Sequence, residues 1–111
     1  MWLISKEIEI DAAHYLRGYQ GKCARIHGHR WKIIIEIESD RLNELGMVKD
    51  FGEIKEAVMK FDHQLINEIE PFTEINPTAE NLAMYFCKKL NAKSVTVYET
   101  PTAYARYIQN Q

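Results

Sequence analysis

Three of the four histidines fall early in the chain, at His14, His27 and His29. His27 and His29 are two residues apart. In a strand, residues at that spacing point to one face with Cα atoms roughly 6.5–7 Å apart, so both imidazoles can converge on a single ion. His14 ends an earlier alternating segment and continues the even parity of Ile8, Ile10 and Ala12. If the two segments pair, His14 meets the His-x-His pair at one end of a sheet. Three neutral imidazoles leave a fourth position open on zinc, the arrangement of a catalytic rather than a structural site. Each histidine taken singly reads equally well as a hydrogen-bonded surface or core residue.

Cys23 lies just upstream, within Gly21-Lys22-Cys23-Ala24-Arg25-Ile26-His27-Gly28-His29. On a glycine-containing loop beside a metal, between Lys22 and Arg25, positive surroundings favour the thiolate and make it available as base or nucleophile. The same sulfur can instead be a fourth ligand, or inert. Asp62-His63 follows the last apolar residue of a helical pattern. An Asp next to a His can orient it as an acid-base unit if the backbone bends enough for the two side chains to meet; the alternative is a protonated histidine at a helix end. Glu99 shares parity with Val95 and Val97, which puts a carboxylate at the end of an apolar strand face, either partnered there or simply exposed. Cys87 sits in an apolar helical stripe and reads as core.

The elements that must position these groups follow from periodicity. From about Leu3 to Ala13, Ile4, Ile8, Ile10 and Ala12 alternate with Glu7, Glu9 and Asp11, with Lys6 the one exception; His27 to Ser39 alternates again through Trp31, Ile33, Ile35 and Ile37. Two helical patterns come next. In the first, Asp50 is a candidate N-cap, Phe51, Ile54, Val58 and Phe61 recur at spacings of three and four, and Lys60 falls in the last turn. In the second, Asn76 and Pro77 read as N-cap and first position, and Leu82, Ala83, Phe86, Cys87 and Leu90 form the stripe. The tail returns to period two at Val95, Val97 and Glu99, turns at Thr100-Pro101-Thr102, and pairs back over Ala103 to Gln109. The expected fold is α+β with order ββααββ: a four-stranded antiparallel sheet, two helices on one face, and two open edges that oligomerisation can cover.

Composition narrows the function classes. The length fits one domain over residues 1–111. With 14 Lys+Arg against 16 Asp+Glu and a net charge of -2, the chain has no basic stripe for a phosphate backbone, so nucleic acid is not an expected partner. No apolar run reaches the roughly 20 residues of a membrane span, and the early charges do not suit a signal peptide. No membrane partner and a cytoplasmic location are expected. Two cysteines do not suggest a disulfide scaffold.

Read together, His14, Cys23-Ala24-Arg25-Ile26-His27-Gly28-His29, Met47-Val48-Lys49-Asp50-Phe51-Gly52, Asp62-His63, Pro77-Thr78-Ala79-Glu80-Asn81 and Glu99-Thr100-Pro101-Thr102 resemble, in order and spacing, the 6-pyruvoyl-tetrahydropterin synthase family. The resemblance covers nearly the whole chain. The short length and the three residues between Cys23 and His27 are similar to its bacterial and archaeal carboxy-forming branch, which serves queuosine and related deazapurine synthesis. The resemblance implies the tunnelling fold (T-fold), closed rings such as a homohexamer of stacked trimers, and active sites between subunits. It implies zinc (Zn2+) on His14, His27 and His29, Cys23 as catalytic base, and Asp62 with His63 as a proton relay. Glu99 would grip the pterin, whose N–H edge suits a bidentate carboxylate, and Thr78, Ala79 and Glu80 would line its pocket; relatives often carry a second Thr where Ala79 stands.

The implied reaction converts 7,8-dihydroneopterin triphosphate to 6-carboxytetrahydropterin with loss of acetaldehyde and triphosphate. No redox cofactor is expected, and the chain has no dinucleotide fingerprint or P-loop. Lys22, Arg25 and Arg106 are candidates for the triphosphate. The alternatives are a 6-pyruvoyl product on the same scaffold, aldol-type cleavage, a non-catalytic zinc or pterin-binding module, and a structural ring protein. Cleaving relatives carry a glutamate near the cysteine, and Lys22 to Ile26 holds no carboxylate.

Overall fold

The computed structural model describes residues 1–110. Its strands are β1 (Trp2–His14), β2 (His27–Ser39), β3 (Ser94–Thr100) and β4 (Ala103–Ile108), and its helices are α1 (Phe51–Met59) and α2 (Ala79–Leu90). The strands form one antiparallel sheet in the order β1-β2-β3-β4. The expected ββααββ order is therefore the observed one, with single turns of 3-10 helix added at Lys22–Ala24 and Ile66–Glu68.

Alternation decides which side chains face the helices. Ile8, Ile10 and Ala12 of β1, Trp31, Ile33, Ile35 and Ile37 of β2, and Val95 and Val97 of β3 are buried against Ile54 and Val58 of α1 and Leu82, Ala83, Phe86 and Cys87 of α2. Cys87 is core, as expected, and its Sγ–H donates to the Ala92 carbonyl. Extending the inner parity to the end of the β1–β2 ladder reaches His14, His29 and His27, because His14 pairs with His27 and Ala12 with His29.

The helices begin for local reasons. The Asp50 carboxylate accepts from the Gly52 N–H at 2.7 Å and caps α1 as expected. Phe51, expected in the apolar stripe, is exposed, and Lys60 is the C-cap residue. The expected Asn76 cap of α2 is corrected: the helix starts at Ala79, with the Thr78 hydroxyl accepting from the Asn81 N–H. Asn76 is engaged elsewhere. Its Oδ1 accepts from the Arg17 N–H and its Nδ2 donates to the Arg17 carbonyl, so one side-chain amide acts as a strand partner for the chain leaving β1.

Asn67 makes the same paired contact with Tyr15, the residue after His14, at 2.9 and 3.0 Å. We expect Asn67→Leu to leave both Tyr15 backbone groups unpaired and to destabilise the fold by about 1–3 kcal/mol. The exposed neighbour change Glu68→Ala should stay within about 0.5 kcal/mol of the parent. Urea unfolding of both variants checks this; equal midpoints would show that the amide pairing is dispensable.

Candidate active site

Strand pairing brings the three early histidines together. One ring nitrogen from each of His14, His27 and His29 lies within 4.8 Å of the others. The Nδ1 of His14 is 2.7 Å from the Pro77 carbonyl, and the Nδ1 of His27 is 2.7 Å from the Arg25 carbonyl. A carbonyl only accepts, so each Nδ1 carries the proton and each Nε2 presents a lone pair. The Nε2 atoms of His14 and His29 are buried without any hydrogen-bond partner. Buried polar atoms without a partner are rare and costly unless something else meets them.

Glu99 adds a fourth acceptor that its parity alone did not place here. Its Oε2 lies 3.5 Å from His14 Nε2 and 3.9 Å from His29 Nε2, with the carboxylate about one-third exposed. Ring nitrogens and a carboxylate gathered at one point suit a donor or a positive centre between them: a proton on a ring, a bridging water or a cation. Burial lowers the pKa of His14, with the nearby His27 and His29 acting the same way and the Pro77 carbonyl and Glu99 opposing. Burial also lowers that of His29, with Glu99 opposing and His27 assisting. Burial thus disfavours a proton on His14 or His29, and a divalent cation fits the position their nitrogens face. Three imidazole nitrogens suit zinc and other borderline divalent ions, and carbonyl-oriented Nδ1–H groups are the usual outer support of such ligands.

The other expected residues are distributed around this cluster. Cys23 lies half-buried in the 3-10 turn after Gly21, and its carbonyl accepts from the Leu16 N–H at 2.8 Å. Gly21 has φ 146, and a Cβ there would stand 2.9 Å from the Tyr19 ring. Among the described residues, the sulfur does not join the imidazole cluster, so the structure does not place Cys23 as a fourth ligand. The bend that Asp62-His63 requires is present. His63 has φ 58, and its Nε2 lies 3.7 Å from Asp62 Oδ2. Asp62 Oδ1 accepts from the Asp11 N–H at 2.9 Å and the His63 N–H donates to the Asp11 carbonyl, so this pair clips onto the outer edge of β1. His63 is exposed, and it shares an open groove of about 510 Å³ with His29, Asp11 and Arg30.

Glu99, Ala79 and Glu80 line a smaller cavity of about 200 Å³ with Ala103, Tyr104 and Ala105 of β4. Thr78, expected in the same lining, precedes Ala79 in the chain but does not line this cavity; its hydroxyl oxygen caps α2. Sequence reasoning had no signal for the Pro77 carbonyl, which orients His14 across 63 residues, nor for the approach of Glu99 to the imidazoles.

The pH dependence has a definite sign. An unfolded histidine takes up a proton near pH 6.5, whereas His14 and His29 in the fold do so only at lower pH. The metal-free protein is therefore fully stabilised by these groups above about pH 6.5, and loses that stability as pH falls through their native values. Urea midpoints of metal-free protein should drop as pH falls below about 6.5, and His29→Gln should flatten the slope. A parent with constant midpoints over this window would contradict neutral burial.

Comparison with known proteins agrees with this architecture. The family model described as 6-pyruvoyl tetrahydropterin synthase matches residues 3–110. A Synechocystis protein named 6-carboxy-5,6,7,8-tetrahydropterin synthase is 38% identical over 96% of this chain and 93% of its own length. A Bacillus subtilis protein of the same name is 31% identical over 94% and 83%. The structure of Caenorhabditis elegans 6-pyruvoyl tetrahydropterin synthase superposes with a TM-score of 0.80 at 24% identity, over 98% of this chain and 96% of that one, which is likeness of fold. The chain belongs to the 6-pyruvoyl tetrahydropterin synthase family, has its T-fold architecture, and is an enzyme of the lyase kind.

Proposed function

We propose that this protein is a zinc-dependent 6-carboxy-5,6,7,8-tetrahydropterin synthase. It would convert 7,8-dihydroneopterin triphosphate and water to 6-carboxytetrahydropterin, acetaldehyde and triphosphate, in the pathway to queuosine and related deazapurines. The names of relatives at 31–39% identity support the carboxy product. The single structural observation that carries the metal reading is the meeting of three imidazoles around orphaned acceptor atoms. His14, His27 and His29 would hold the ion. When bound, zinc supplies Lewis-acid stabilisation of charge developing on the hydroxyls of the substrate side chain.

The chain's own residues supply the remaining roles. In this reading Glu99 accepts from the N–H edge of the pterin at the cavity it shares with Ala79 and Glu80, and Thr78, just before Ala79, would approach the ring from the start of α2. Cys23 takes a proton from the side chain of the substrate, and His63, steadied by Asp62, returns one. Arg106 donates to Thr96 and lies over the Tyr104 ring, whereas Lys22 and Arg25 are exposed beside Cys23 and are the better candidates for the triphosphate.

Glu99 lines two shallow cavities, one of about 300 Å³ with His29 and Tyr98 and one of about 200 Å³ with Ala79 and Glu80, at or below the small end of the roughly 300–1,000 Å³ of ordinary ligand sites. The smaller opens at β4, an edge strand with Tyr104 and Ile108 exposed. A neighbouring copy at that edge would complete the pocket, which favours a homo-oligomer, such as a hexamer of stacked trimers, with sites between subunits. Among the described residues no helix is long and apolar enough to cross a membrane. A cytoplasmic setting, with no nucleic-acid or membrane partner, fits the pathway proposed.

Product identification by mass spectrometry after incubation with dihydroneopterin triphosphate, with metal measured on the same sample, tests the assignment. Acetaldehyde with a 6-carboxy pterin supports it, and a 6-pyruvoyl product overturns it. Cys23→Ala should keep the parent's metal content and lose about 100-fold or more in turnover; unchanged turnover would refute the base role and favour a binding module.

A further inference from the structure

We propose that Trp31 is the positioning residue of the imidazole cluster: it locks the rings of His14 and His29 so that their free nitrogens meet at one cation, and it walls that point off from the core. The inference rests on the metal reading above. Trp31 is fully buried, two residues after His29 on the inner face of β2. Its ring stands nearly perpendicular to both partners, with centroids 4.9 Å and 84° from His14 and 5.3 Å and 80° from His29. Edge-to-face contact is the favoured aromatic arrangement, and two such contacts at once leave either imidazole little freedom to rotate.

The polar end of Trp31 is used in a way that protects the cluster. The indole N–H donates to the Ala12 carbonyl at 3.1 Å. Ala12 pairs with His29 and precedes His14 by two residues, so this one bond ties together the strand segments that carry both ligands. It also commits the one donor of Trp31 to the backbone. A side chain with an uncommitted N–H or O–H at this depth would bond the orphaned Nε2 atoms and occupy the lone pairs a cation needs. The buried residues that continue this face, Ile8, Ile10, Ile33, Ile35 and Ile37, are aliphatic and fill the core without a flat wall.

The test uses Trp31→Phe, which keeps an aromatic wall but loses the N–H bond, and Trp31→Leu, which loses both. Zn2+ affinity is measured by competition with a chromophoric chelator, coordination by the visible spectrum of bound Co2+, and folding by circular dichroism. Trp31→Leu should bind Zn2+ about ten- to a hundredfold more weakly, Trp31→Phe should fall between it and the parent, and both should alter the Co2+ spectrum. In a Trp2→Phe background the only remaining indole is Trp31, and its emission should change on adding Zn2+ even if a Trp31 variant does not fold. A residue that only fills the core would lower thermal stability while leaving affinity and spectrum alone. Parent-like binding in Trp31→Phe, or emission indifferent to Zn2+ in a parent that binds it, overturns the inference. A parent that binds neither ion overturns the metal reading and this inference with it.

Discussion

The candidate site depends first on the register between β1 and β2. Side chains on a strand alternate between faces with a period of two, so a slip of one residue would send every inner-facing side chain of one strand to the opposite face. The two thirteen-residue strands pair along their whole length, and the burial of Ile8, Ile10, Ile33 and Ile35 between sheet and helices makes that slip prohibitively costly. The histidines lie on the same parity just beyond this apolar stretch. The hydrophobic pattern that holds the sheet together therefore also sets His14 against His27, with His29 one step along the face.

Burial gives the cluster its electrochemical character. Desolvation keeps His14 and His29 neutral, and backbone carbonyls from Pro77 and Arg25 set the tautomers of His14 and His27. The result is a pocket of acceptors facing one another, with the Glu99 carboxylate at its rim. Electrostatic interactions are stronger in such a poorly solvated setting than in water, and the arrangement could hold a metal ion. Trp31 closes the inner side by packing against the rings, with its one donor directed at the backbone.

Around the cluster, side chains do the work of strand partners. Asn67 and Asn76 each bond both the N–H and the C=O of a residue just past β1, and Asp62 with His63 does the equivalent at Asp11 on its outer edge. These polar clips run between segments about fifty to sixty residues apart; two fix the irregular chain that follows His14, and the third holds the free edge of β1 at Asp11. They also explain the positive φ of His63: the turn that aims the Asp62 carboxylate at β1 requires it, and it brings the two side chains of the dipeptide within 3.7 Å of each other.

Periodicity and local chemistry make part of this architecture readable from residue order. The strands, their inner parity, the Asp50 cap, the core role of Cys87 and the convergence of the three histidines were all legible, because a period of two or of three to four residues reports a buried face directly. The start of α2 was misread, because Asn76 and Thr78 are both good caps locally and only a distant contact with Arg17 decides between them. Phe51 fits the apolar spacing of α1 but stays exposed, since spacing does not say where a neighbouring surface ends. The Pro77 carbonyl on His14, the approach of Glu99 to the imidazoles, and the double contact of Trp31 were decided by tertiary structure alone. Each joins groups far apart in the chain through a backbone atom or a ring face, and such groups leave no mark in the order of residue types.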